Sequence, residues 1–169
     1  MKKSFLLFAI AILAFGTASY AQKTVKLAHL NSAELMQVMP GRDSAQTAFQ
    51  NKVSELEAVL TAMQEEYQTK LNDYQERQSQ MTDLIRKTKE QDLMDLRQRI
   101  ETYKEGAEQQ LMTTQQELLQ PIIDRFKKAV ADVAKENGYT YVFDTSAGAL
   151  LYQQDSDDIS ALVKKKLGI

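Results

Sequence analysis

Between Gly41 and Gly138 the chain runs for almost a hundred residues with a single proline, Pro121, and a single glycine, Gly106, inside. Apolar and aromatic residues recur through this stretch at helical spacing, so it reads as helix. Short β-type segments flank it, Val25 to Leu30 before and Tyr139 to Asp144 after. These flanks can pair only if the helix doubles back. The predicted product is an antiparallel helical hairpin, an arm over residues 42–137. It projects from a small β-containing body made of residues 22–41 and 138–169. The fold class is therefore α+β, mainly α. Such an arm has little interior for a catalytic pocket and much surface for holding another molecule.

The outgoing half of the arm carries Phe49, Val53, Leu56, Leu60, Met63 and Tyr67 at steps of 4, 3, 4, 3 and 4, the spacing of a coiled-coil seam. A second step of four, from Tyr67 to Leu71, is a stutter that locally relaxes the supercoil. The stripe then passes through Tyr74, polar Gln78, Met81 and Ile85. The return half shows Leu93, Leu96, Ile100, Tyr103, Ala107 and Leu111, continued by Leu118, Ile122, Phe126, Val130 and Val133. No glycine or proline marks the reversal. Equal arm lengths place the tip near 79–90, with Thr82 able to cap the second helix. Forty residues of helix reach roughly 60 Å. Pro121 removes a hydrogen bond to the Glu117 carbonyl, which predicts a bend that steers the helix onto the body.

Residues 1–21 read as a secretory signal peptide: Lys2 and Lys3, an apolar run from Phe5 to Phe15, and small residues at Ser19 and Ala21 before a cleavage expected ahead of Gln22. The mature chain is then about 148 residues, one modest exported domain. Loss of the two lysines leaves 19 basic residues against 23 acidic ones. A chain this acidic has no excess cation with which to displace phosphate counterions, so nucleic acid is not an expected partner. Stable membrane insertion is not expected either. The chain has no cysteine, so its stability must come from packing or assembly.

In the body, Val25, Leu27 and His29 share one face of the first strand. Asn31 and Ser32 are cap-type residues that open a short helix ended by Pro40-Gly41. Tyr139 to Asp144 forms a strand, Thr145 to Gly148 a turn, and Ala149 to Tyr152 a second strand, which together predict a β-hairpin. Asp155 or Ser156 caps a final helix with Lys164 to Lys166 at its end, matching the helix dipole. Three strands with open edges and too little core to cover both sheet faces give the chain a motive to assemble. Assembly would bury Val25, Leu27, Tyr141, Phe143, Leu150 and Tyr152.

No catalytic constellation is present. His29 is the single histidine and reads as a body or subunit-contact residue. A zinc site would need several His or Cys ligands. Asp155, Asp157 and Asp158 lack the glycine and the twelfth-position glutamate of a calcium loop and read as helix caps. No enzyme activity, metal or cofactor is expected.

Two segments carry a family resemblance. Val25-Lys26-Leu27-Ala28-His29-Leu30-Asn31-Ser32 and Ala134 through Asn137-Gly138-Tyr139-Thr140-Tyr141-Val142-Phe143-Asp144-Thr145-Ser146-Ala147-Gly148 closely resemble the Skp (OmpH-like) family of periplasmic chaperones. The order of parts also matches: signal peptide, strand, short helix, long hairpin, β-hairpin and terminal helix. The resemblance implies a homotrimer shaped like a jellyfish, with a β body and three helical tentacles. It implies a holdase that uses no ATP and keeps unfolded outer-membrane proteins soluble between its tentacles. Packing between the arm helices is the favoured reading of Met63, Tyr67, Tyr74 and Met81; the alternative makes them client-facing candidates, because methionine and tyrosine adapt to varied partners. The best-known members are basic. This chain is acidic, and its expected tip mixes Arg86, Lys87 and Lys89 with Asp83, Glu90 and Asp92, which counts against lipopolysaccharide contact. The alternative is a structural coiled-coil scaffold of the envelope.

Overall fold

A computed structural model describes residues 25–169; the expected signal peptide and its cleavage site lie outside them. Strand β1 (Leu27–Leu30) leads into helix α1 (Ser32–Gln37). Two long helices follow, α2 (Arg42–Arg77) and α3 (Asp83–Asn137), and then strand β2 (Tyr141–Asp144) and helix α4 (Ser160–Leu167). Short 3-10 turns occupy Gln78–Gln80 and Asp155–Asp157.

β1 and β2 pair in parallel, with Leu27 opposite Tyr141 and Leu30 opposite Asp144. Parallel strands need a crossover connection. Here the crossover is the whole arm. The hydrogen bonds continue past both ends of the ladder: Thr140 N donates to Lys26 O at 2.7 Å and Thr145 N to Leu30 O at 2.9 Å.

The arm is α2 packed antiparallel on α3. Every member of the outgoing stripe from Phe49 to Tyr74 is buried or half-buried while its neighbours on the outer faces are exposed, and the return stripe behaves alike. Leu56, Tyr74 and Leu96 are its most buried members. Tyr103 Oη donates across the seam to the Leu56 carbonyl at 3.5 Å. The chain reverses at Gln78–Gln80 and Met81, and Thr82 caps α3 by accepting from Ile85 N. That lies at the near edge of the window expected for the tip.

α3 runs unbroken for 55 residues through Gly106 and Pro121. It is longer than α2, with 36 residues, because it serves two structures. Arg42 and Ala45 face Leu118 and Leu119 at the arm's root. Beyond that level Ile122, Ala129 and Val133 pack into the body core with Ala28, Leu30, Leu35, Ile159 and Val163. The stretch after Pro121 is thus the body's central helix as well as the end of the arm. α3 stops at Gly138, whose φ of +70° is left-handed, with Tyr139 N returning to Ala134 O.

Two local expectations give way. Ala149 to Tyr152 does not form a second strand on β2, so there is no hairpin. Thr145 donates from both N and Oγ1 to the Leu30 carbonyl, which holds the turn on the β1 side. The chain then crosses to the far edge of β1. There His29 Nε2 donates to Gln154 O at 2.9 Å and His29 bridges Asp158. β2's outer edge has no strand partner among the described residues. The last helix also begins later than expected, at Ser160. Asp155 sits in a 3-10 turn, and Asp158 Oδ1 accepts from Ser160 N at 2.7 Å.

If the seam holds the arm, Leu96→Ala should lower stability by about 2–3 kcal/mol. Leu84→Ala, at an exposed position of the same helix, should change it by no more than about 0.5 kcal/mol. Urea denaturation of the two variants measures the difference, and equal losses would contradict the seam.

Candidate functional site

Two surfaces on this frame remain open to another molecule: the outer face of the sheet and the sides of the arm. Residues directly opposite in a parallel pair point to the same side, and the sides alternate along each strand. Ala28, Leu30 and Val142 face inward onto α3, and the first two are fully buried. Leu27, Tyr141 and Phe143 face outward, joined by Val25 at the strand's start. His29 shares this outer face yet is buried, because residues 154–158 cover it. Tyr141 and Phe143 are 59% and 42% exposed. Two aromatic rings and two aliphatic side chains on the open side of a two-stranded sheet are an unusual surface for a chain acting alone.

The patch continues around the sheet. An apolar groove of about 290 Å³ runs beside β2, lined by Leu30, Phe126, Val130, Ala134, Val142 and Phe143. Leu151 and Tyr152 stand free of the body beyond the turn, and Leu150 is half-buried. The six body residues singled out from the sequence therefore divide. Val25, Leu27, Tyr141 and Phe143 form one face, whereas Leu150 and Tyr152 belong to the loop beyond β2.

The sheet is fastened at one end by a carboxylate. Asp144 Oδ2 accepts from Ser32 Oγ at 2.5 Å, and its Oδ1 accepts from Ser32 N at 3.1 Å and Ser146 N at 2.9 Å. Ser32 opens α1, so Asp144 satisfies an amide at that helix's start from 112 residues away. Asn31 completes the cap: it accepts from Glu34 N and donates to Glu34 Oε1, a reciprocal capping pair. Burial works to raise the Asp144 pKa, but the hydrogen bonds from Ser32 and Ser146 outweigh it and hold the group down at about 2. At the other end Lys26 Nζ donates to the Asn137 carbonyl at 2.9 Å and sits 4.2 Å from the centre of the Tyr139 ring. The sequence reading missed the Asp144 knot, although Ser32, Asp144 and Ser146 all lie inside the two segments that carry the resemblance.

On the arm, the structure places Met63, Tyr67 and Tyr74 in the seam between α2 and α3, and Met81 half-buried at the reversal. Tyr74 is 9% exposed, and its Oη donates to Glu90 Oε1 at 2.5 Å while accepting from Gln78 Nε2 at 2.9 Å. The bond to the Glu90 carboxylate, with burial second, raises the Tyr74 pKa. This network explains polar Gln78 on an otherwise apolar stripe, since it closes the tip with hydrogen bonds. The exposed apolar residues of the arm are others: Val59, Leu84, Ile85, Met94 and Met112. Met94 and Met112 each follow a seam leucine by one position, Leu93 and Leu111, and that off-stripe placement was the available signal.

Among the described residues no helix is long and apolar enough to cross a membrane, and no cluster of three or more His, Cys, Asp or Glu could hold a metal ion.

Asp144 ties pH to stability. Its folded pKa lies below the unfolded carboxylate value of about 3.9, so its contribution is complete above that value and is lost as pH falls toward 2. Asp144→Ala should cost about 1 kcal/mol at neutral pH, the scale of a lost helix cap. The variant should also lack the part of the wild-type loss that occurs between about pH 4 and pH 2. Unfolding free energies across that range would show parallel curves if the carboxylate were idle.

The layout of arm and body has known counterparts. Residues 26–167 match the profile of the OmpH-like outer membrane protein family. The chaperone protein Skp of Pectobacterium atrosepticum is 29% identical over 155 residues, covering 92% of this chain and 93% of that one. The Skp chaperone of Yersinia pseudotuberculosis is 30% identical with the same coverage. A solved OmpH-like structure from Caulobacter crescentus superposes with a TM-score of 0.73 over 89% of this chain and 88% of its own, at 10% sequence identity. A profile spanning nearly all the described residues, carried on this arm-and-body fold, makes the chain a member of the Skp (OmpH-like) family.

Proposed function

We propose that the chain is an ATP-independent holdase of the periplasm, exported by its leader, that binds unfolded outer-membrane protein precursors and prevents their aggregation. The observation that carries this reading is the family match over residues 26–167 on a chain built as a long thin arm and a small body. The relatives named Skp are chaperones, which favours this reading over a structural scaffold. An arm of two helices has no deep interior. It holds a partner by many weak contacts along its sides, and such contacts let a client leave without an energy source.

The uncovered sheet face supports a homotrimer. Leu27, Tyr141 and Phe143, the open edge of β2 and the groove over Phe126 and Val130 are one continuous apolar surface. A second subunit burying it would close the edge and remove a liability to aggregation. With three arms around a common body, clients would sit between the arms.

Two measurements test this reading. An outer-membrane β-barrel protein diluted from urea should stay soluble in a molar excess of the chain without any nucleotide; unchanged light scattering would count decisively against the holdase. Tyr141→Asp or Phe143→Asp places a charge on the covered face, which should dissociate the assembly to monomers in sedimentation. A trimer that survives either change would show that the subunits meet elsewhere.

A further inference from the structure

The two flanks of α2 differ in chemistry, and the difference selects a face. Counted at 3.6 residues per turn, Gln50, Ser54, Thr61, Gln64, Gln68 and Gln75 fall on one side of the seam, and all are exposed. From Gln46 to Gln75 this line spans roughly 44 Å of helix. It includes one charged residue, Glu57. Its amides also bond along it, Gln68 Nε2 donating to Asn72 Oδ1 at 2.8 Å. The other flank of α2 carries the ion pairs Lys52–Glu55, Glu66–Lys70 and Asp73–Arg77.

α3 adds apolar contacts to the amide-lined side. At the arm's root a hollow of about 260 Å³ is lined by Gln46 and Phe49 from α2 and by Gln115, Leu118 and Leu119 from α3. The Gln46 side of α2 and the Gln115 side of α3 are therefore one face of the hairpin. Met112 lies on that same line of α3, and Met94 lies five turns before it. Both are well exposed, at 67% and 57%. Between them α3 carries Arg97, Glu101, Lys104 and Glu108, whose charges cancel.

We infer that this face, with the α2 amide line at its centre and Met94, Met112 and the root hollow along its border, is the surface that holds the client, and that the occupant is an unfolded polypeptide rather than another arm. The inference rests on the holdase reading and names its site. A second arm would need an apolar repeat to bury, and this face has none. An unfolded chain exposes backbone donors and acceptors together with scattered apolar side chains. Glutamine and asparagine amides both donate and accept, so they meet either kind of backbone group. A line with a single charge among its amides discriminates little between acidic and basic segments, and its amides are less costly to desolvate than an ion pair. Methionine adapts to whichever apolar side chain arrives.

The chain contains no cysteine, so single-cysteine variants can be labelled cleanly. Gln64→Cys and Gln68→Cys sample the amide line, and Glu66→Cys and Asp73→Cys sample the opposite flank. Each is labelled with a benzophenone and irradiated with a urea-unfolded outer-membrane barrel protein. Crosslinks to the barrel should be severalfold more frequent from the amide line. The triple variant Gln64→Glu, Gln68→Glu, Gln75→Glu should remain helical by circular dichroism and suppress aggregation less well. Equal crosslinking from both flanks, or capture of a second copy of this chain at 64 and 68, would overturn the face while leaving the holdase intact. A wild-type chain that keeps no barrel soluble would overturn the holdase itself.

Discussion

The α2–α3 seam is the interaction on which the rest depends. β1 and β2 have four residues each, and more than a hundred residues separate them. Closing a loop of that length costs on the order of 4 kcal/mol in chain entropy. A two-stranded sheet this short does not supply that alone. The seam makes the closure local. Once Leu56, Tyr74 and Leu96 have packed α2 against α3, the root of the arm delivers residues 30 and 141 to the same place, and the sheet needs only to zip. The tip contributes hydrogen bonds in place of apolar burial, through Tyr74, Gln78 and Glu90. The root hands over to the body through a single uninterrupted helix.

The long elements were legible because their signal is periodic. Heptad steps from Phe49 to Tyr67 and the Asn137-Gly138 stop placed the arm, and apolar β-type flanks placed the sheet. That the two strands pair followed from the doubling back of the helix, whereas their parallel orientation was not legible. The loop after β2 was not legible. Ala149 to Tyr152 has strand composition, but Thr145 and His29 draw the chain to the other edge of β1 by hydrogen bonds that no periodicity announces. The start of α4 was misplaced for a related reason: three acidic residues all resemble caps, yet Ile159 occupies the cap position and Asp158, just before it, accepts from Ser160 N. On the arm, Met63, Tyr67 and Tyr74 lie in the seam, as packing between the arm helices predicts. The exposed methionines are legible as residues that fall off it.

The segments that carry the family resemblance prove to be a fastening. Asn31-Ser32 and Asp144-Thr145-Ser146 interlock at one end of the sheet. Lys26, Asn137 and Tyr139 interlock at the other. These residues report how the body closes.

The continuity of α3 makes the arm a lever. About 38 of its residues lie on the arm side of Pro121, and about 16 lie on the body side. At 1.5 Å per residue these are lengths of roughly 57 and 24 Å on one stiff rod. A sideways displacement at the tip reaches the floor of the groove beside β2, at Phe126 and Val130, reduced to roughly an eighth to a quarter. In the proposed assembly, the load carried far from the body and the fit between subunits are therefore mechanically one variable. The joint between them is the proline at which α3 leaves its partner helix.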